Sequence, residues 1–124
     1  AYTRSALEHG ITVDVLSALG SANLKLGRLG QAENLLRQAT DKDGTFPPAW
    51  NNLGVILMET GKTAEAARVF RIAYGVDGGK SASIKENLTL ALAKLDDITY
   101  DVDDDATFEL MRRGHGDYLL LARQ

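Results

Sequence analysis

The sequence predicts an all-α protein, a stack of antiparallel helix hairpins followed by a short C-terminal extension. Three observations predict it. The chain matches itself when shifted by 34 residues. Within each period, apolar residues recur at the spacing of one helix face. Glycines stand where each such stretch should stop. A fixed period of this size is the signature of an array in which each unit buries its apolar face only against its neighbours.

The 34-residue shift places Leu16 on Trp50, Leu19 on Leu53, Gly20 on Gly54, Gly27 on Gly61, Ala32 on Ala66, Leu36 on Phe70 and Ala39 on Ala73. Asp43-Gly44 falls on Asp77-Gly78. Two whole units follow, 13–46 and 47–80. The register extends backward, where Tyr2, Ser5 and Gly10 fall on Leu36, Ala39 and Gly44, so residues 1–10 read as the end of a truncated unit. It extends forward with a one-residue slip, Asn87-Leu88 on Asn52-Leu53, and a last helix is expected over 81–95. The array is thus 1–95, and 96–124 is an acidic linker with a C-terminal extension.

Each unit reads as two helices. In the second, Leu53, Val55-Ile56-Leu57 and Met58 mark the first helix. Gly61 suits a left-handed position just past its end. Thr63 is expected to cap the second helix, with Glu65 and Ala66 in its first turn. Gly54 and Ala66 are small enough to let the two helices approach closely, and Trp50, Leu57 and Phe70 are expected to fill the space between hairpins.

These residues carry a family resemblance. Trp50-x2-Leu53-Gly54-x2-Leu57, then Ala66-x3-Phe70 and Ala73, resembles the tetratricopeptide repeat, whose signature has this period. Leu57 stands where that family has Tyr, and Gly78 where it has Pro. The first unit departs further, with Leu16 for Trp and Asn23 for the aromatic. The resemblance implies an α-solenoid whose first helices line a concave groove. Carried over position by position, the groove residues are Asp14, Ser17, Ala18, Ser21 and Lys25 in unit one and Asn51, Asn52, Val55 and Glu59 in unit two. In the last helix they are Ser83, Glu86, Asn87, Leu90 and Lys94. Chaperone-binding members grip a terminal carboxylate with Lys or Arg at several of these positions. Ser17, Ser83 and Asn87 stand there instead and only Asn52 matches, which argues against that function.

The end of the chain adds a narrower resemblance. The segment "FELMRRGHGDYLLLARQ", following "NLTLALAKL", is similar to the ends of TadD-type proteins of the tight-adherence pilus system, which are cell-envelope proteins, usually lipid-anchored. It implies a role in pilus assembly and secretion on the periplasmic side of a bacterial envelope; without it the expected location is cytoplasmic. No lipidated Cys is present, so an anchor would lie upstream of Ala1.

Charge and composition exclude several classes. The net charge is -3, which gives no basic field for nucleic acid. Residues 1–95 carry 11 basic and 9 acidic side chains, whereas 96–124 carry 3 and 8, so composition breaks near Leu95-Asp96. No run approaches the roughly 20 apolar residues of a membrane-spanning helix. There is no Cys, hence no disulfide, thiolate metal site or thiol nucleophile. His9 and His115 are the two histidines and fall in separate turns, so they make neither a metal set nor a triad. Gly78-Gly79-Lys80-Ser81 resembles the end of a phosphate-binding loop but lacks its first glycine and preceding strand. A calcium loop from Asp101, through Asp103 and Asp105, fails at Ala106 and Arg112, where Gly and Glu are required. No cofactor and no enzymatic activity are expected.

The extension is expected to form a β-hairpin across Gly114–Asp117, with a helix from Ala106 to Arg113, capped by Asp105, as the alternative. Binding of another protein is the expected function, through an extended segment held by Asn51, Asn52 and Asn87, because carboxamides both donate and accept. Two rivals are a structural array that self-associates through the truncated N-terminal helix and a cation-responsive module using Asp101–Asp105.

Overall fold

The computed structural model describes residues 12–112, and the side chains of residues 12–99. The described residues form five helices: α1 Val13–Lys25, α2 Leu29–Lys42, α3 Pro47–Glu59, α4 Thr63–Asp77 and α5 Ala82–Arg112, with no strand among them. They fall into two compact units divided between Ala91 and Leu92, inside α5.

Each helix boundary has a local cause. Thr12 caps α1, its Oγ1 accepting from the Val15 amide at 3.3 Å. Glycines 27, 61 and 78 sit just past the ends of α1, α3 and α4 with φ of 77°, 79° and 71°. At each end the same pair of bonds closes the last turn. At α3, the Gly61 amide donates to the Met58 carbonyl (3.1 Å) and the Lys62 amide to the Leu57 carbonyl (2.8 Å). Pro47-Pro48 opens α3, where the missing amide donors cost nothing and a continuous run from α2 is forbidden. Ser81 caps α5 by accepting from the Ile84 amide at 3.2 Å.

Two expectations are corrected here. Thr63 is not a cap: the chain enters α4 from Lys62, and Thr63 is the first helical residue, buried, with its Oγ1 unpartnered. The last helix does not stop at Leu95. It runs through the acidic segment to Arg112, because no Gly or Pro occurs between Ser81 and Gly114 and helix-poor Asp costs only a few tenths of a kcal/mol per residue. Residues 106–112 are therefore helical, as in the alternative, but as a continuation of α5 in which Asp105 is an interior residue and not a cap. The turn at Gly114–Asp117 lies outside the described residues, as do residues 1–10.

Packing is closest within the pairs α1/α2 and α3/α4, then between α2 and α3, and α1 also touches α3. That sequence of contacts is the signature of stacked hairpins. Leu36, Leu53, Ile56, Leu57 and Phe70 are the largest fully buried side chains. Phe70 faces the following helix, lining a hollow with Asn87 and Leu90, and also packs within its own hairpin. Its ring lies across Gly54 inside its own hairpin, where a Cβ at Gly54 would stand 2.5 Å from the ring. Leu36 crosses Gly20 in the same way, 2.6 Å from the corresponding point. Trp50 is half-buried, and its indole Nε1 donates to the Gly44 carbonyl at 2.8 Å, tying α3 to the turn that precedes it. Leu19 is 43% exposed although its counterpart Leu53 is 1% exposed. The physical difference is that α3 has hairpin neighbours on both sides, while α1 has described neighbours on one side only.

Ion pairs join consecutive hairpins. Arg37 on α2 reaches Glu65 on α4 at 2.8 Å and Glu33 on its own helix at 3.1 Å, and Lys62 reaches Glu33 at 3.3 Å. Among the described residues no helix is long and apolar enough to cross a membrane.

Candidate functional site

The first helices of successive units present the groove positions, and the structure sorts them. On α1, Asp14, Ala18 and Lys25 are exposed and Ser21 is half-buried. Ser17, expected on the groove, is only 5% exposed. It belongs to the stripe Val15, Leu16, Ser17 and Gly20 that α1 turns toward its neighbours, so it offers little to a partner. On α3, Asn51, Asn52 and Val55 are half-buried and Glu59 is exposed. On α5, Ser83, Glu86 and Leu90 are exposed and Asn87 is half-buried. Lys94 is exposed and belongs to the second unit.

Asn51 and Asn87 meet. The Asn87 Nδ2 donates to the Asn51 Oδ1 at 3.0 Å, a bond between side chains 36 positions apart that joins α3 to α5. On either side of this bridge the seam opens into a hollow. One, of about 280 Å³, is lined by Pro47, Pro48, Asn51, Asn52, Asp77, Ser81, Ser83 and Ile84. The other, of about 170 Å³, is lined by Val55, Met58, Glu59, Phe70, Asn87 and Leu90. The order of residues along both helices sets the polar hollow at the N-terminal end of the seam and the apolar one beyond it.

The polar hollow is fixed by the turn before α5. Asp77 Oδ2 accepts from the Ser81 amide at 2.6 Å, which holds the carboxylate at the mouth. Asn52 makes no side-chain hydrogen bond among the described residues, so its carboxamide keeps a donor and an acceptor for a ligand. In the apolar hollow Leu90 is 57% exposed, while Phe70 (1%) closes the floor. Sequence reasoning did not assign Pro47, Pro48, Met58, Asp77, Ser81 or Ile84 to the site. Met58 carried a usable signal, an apolar residue at the end of the buried stripe of α3. Asp77 carried none, because its role depends on a turn.

A hollow of about 390 Å³ on the opposite side runs between α2, α3 and α4, past Arg37, Trp50, Glu65, Arg68 and Ile72. Its charges are committed in part: the hydrogen bonds that Arg37 donates to Glu65 and then to Glu33 push its guanidinium up. Burial raises Glu33, but the hydrogen bonds from Arg37 and Lys62 outweigh it and hold its carboxyl below the usual carboxylate range.

Stacked hairpins, glycine–large-residue contacts inside each hairpin and a seam of first helices define a helical-repeat protein. A family model described as tetratricopeptide repeat matches residues 17–82, more than half of the chain. The chain belongs to the tetratricopeptide repeat family. No curated protein matches it.

Proposed function

We propose that this chain is a protein–protein interaction scaffold that receives an extended segment of a partner along the α3–α5 seam. The observation that carries the reading is the pair of hollows flanking the Asn51–Asn87 bridge. A bridge between two open hollows leaves space for successive side chains of an extended chain, whose alternate residues point to the same side. The Asn52 carboxamide lies beside the path and can pair with both backbone groups of such a segment. The mechanism is binding without chemistry, and no cofactor enters it.

The narrower assignment rests on the tail "FELMRRGHGDYLLLARQ" and its similarity to tight-adherence pilus proteins. On this reading the partner belongs to a pilus secretion machine of the bacterial cell envelope. One experiment tests both levels: a photo-crosslinking residue in place of Asn52 in the full-length protein, activated in cells. Crosslinks to another protein support the scaffold, and a pilus-machine component among them supports the narrower role. Absence of any crosslink at Asn52, with crosslinks formed from the opposite face at Arg68, would sink the groove reading.

A further inference from the structure

The charge of the seam identifies the chemistry of what it holds. The side chains that line the two hollows include the carboxylates of Asp77 and Glu59 and no Lys or Arg. Residues 1–95 as a whole carry two more basic than acidic side chains, so the negative seam is set into a positive body. Lys80 and Lys85 are exposed nearby but line neither hollow. Glu86, exposed one helical turn before Leu90, lines neither hollow but adds a third carboxylate on the same face of α5. Among the described residues neither Glu59 nor Glu86 is engaged in a salt bridge.

We propose that the seam selects a basic, aliphatic extended segment. An aliphatic side chain enters the hollow of Val55, Met58, Phe70 and Leu90, while Lys or Arg two residues to either side meets Glu59 at one end and Glu86 and Asp77 at the other. The volume of about 170 Å³ leaves room for a Leu or Ile side chain. The carboxylates supply selectivity and association rate more than affinity. This inference rests on the groove reading above.

The test uses the whole 124-residue chain and three fluorescein-labelled nonapeptides followed by anisotropy. The first has a central leucine with lysines two residues to either side and serine elsewhere. The second has glutamates for the lysines, and the third has glycine for the leucine. The first is expected to bind about fivefold more tightly than the glutamate peptide at low salt, the size of two exposed ion pairs, a gap that closes in high salt. It is expected to bind more tightly than the glycine peptide at low and high salt alike, through the apolar contact. Glu59→Lys combined with Glu86→Lys, both surface changes, is expected to invert the preference between lysine and glutamate peptides. Equal binding of the three peptides, no binding, or an unchanged preference in the double variant would overturn the proposal. If the Asn52 crosslink forms while the peptides fail, only the basic, aliphatic assignment falls. If that crosslink captures a second copy of this chain, the assignment falls as well. If no crosslink forms, the groove reading itself is lost.

Discussion

The carboxamide of Asn87 donates to that of Asn51 across the seam between α5 and α3. This bond separates two neighbouring residues of one sequence pair into different tasks. Asn51 is held by a helix, and Asn52 faces outward to a hollow. Replacing Asn51 or Asn87 by Ala is expected to cost about 1 kcal/mol, the net worth of a part-buried hydrogen bond, seen as a fall in Tm of roughly 4–8 °C. The double variant is expected to cost less than the sum of the two. Asn52→Ala is expected to stay within about 0.5 kcal/mol of the parent while weakening partner capture. A melting series of the four variants separates these outcomes, and additive losses at Asn51 and Asn87 would contradict the bond.

Gly54 faces a ring that cannot retreat. Ala at this position brings a methyl to about 2.5 Å from Phe70, which is 1% exposed. Overpacking of this kind costs about 1–3 kcal/mol, more than the roughly 1 kcal/mol that Ala gains over Gly in a helix. Gly20→Ala meets the branched end of Leu36 and is expected to cost less. Adding Phe70→Leu to Gly54→Ala is expected to recover part of the loss, measured as a coupling energy in urea unfolding.

Glycines without close neighbours separate backbone from packing. A Cβ at Gly61 or Gly75 meets nothing within 4 Å, but Gly61 has φ of 79° and Gly75 lies within α4. Gly75→Ala is expected to stabilise by about 0.5–1 kcal/mol. Gly61→Ala is expected to destabilise by about 1 kcal/mol. Chemical denaturation of the two variants gives the signs, and like signs would remove the left-handed cap.

Acid is expected to weaken the link between hairpins. The folded Glu33 carboxyl titrates below its unfolded value, held down by Arg37 and Lys62 against the opposing effect of burial. Its contribution is therefore present above the unfolded pKa of about 4.3 and is lost as pH falls through the lowered folded value. With Arg37 41% and Lys62 50% exposed, the contribution stays under about 1 kcal/mol. Glu33→Gln is expected to be less stable than the parent at pH 7 and equal to it near pH 3. A difference that persists at pH 3 would assign the loss to packing instead of charge.

The hairpins were legible because their rules are local. Gly54 and Phe70, or Gly20 and Leu36, are 16 positions apart and repeat at 34, so one register reveals both. Glycine ends announce themselves for the same reason. The Asn51–Asn87 bond was hidden, since nothing in a periodic pattern says which of two adjacent polar residues turns toward a neighbouring helix. The length of α5 was misjudged because the repeat rule and the breaker rule disagree after Leu95. The repeat ends there, but no residue capable of stopping a helix follows until Gly114. Thr63 failed as a cap because Lys62, and not Thr63, is the residue that leaves the glycine turn. Ser17 is buried where exposure was expected, because hairpin stacking decides burial at the edge of a stripe.

Arg37 has a consequence beyond the strength of any one ion pair. Its guanidinium spans the second helices of both complete hairpins, so it contributes to the coupling term between adjacent elements of a linear array. Such a term decides whether the array melts as one body or frays from one end. Arg37→Ala is expected to broaden the urea transition and lower its m-value, with the Trp50 fluorescence and the helical signal no longer losing amplitude together. The residue thus governs the range over which a local opening is felt.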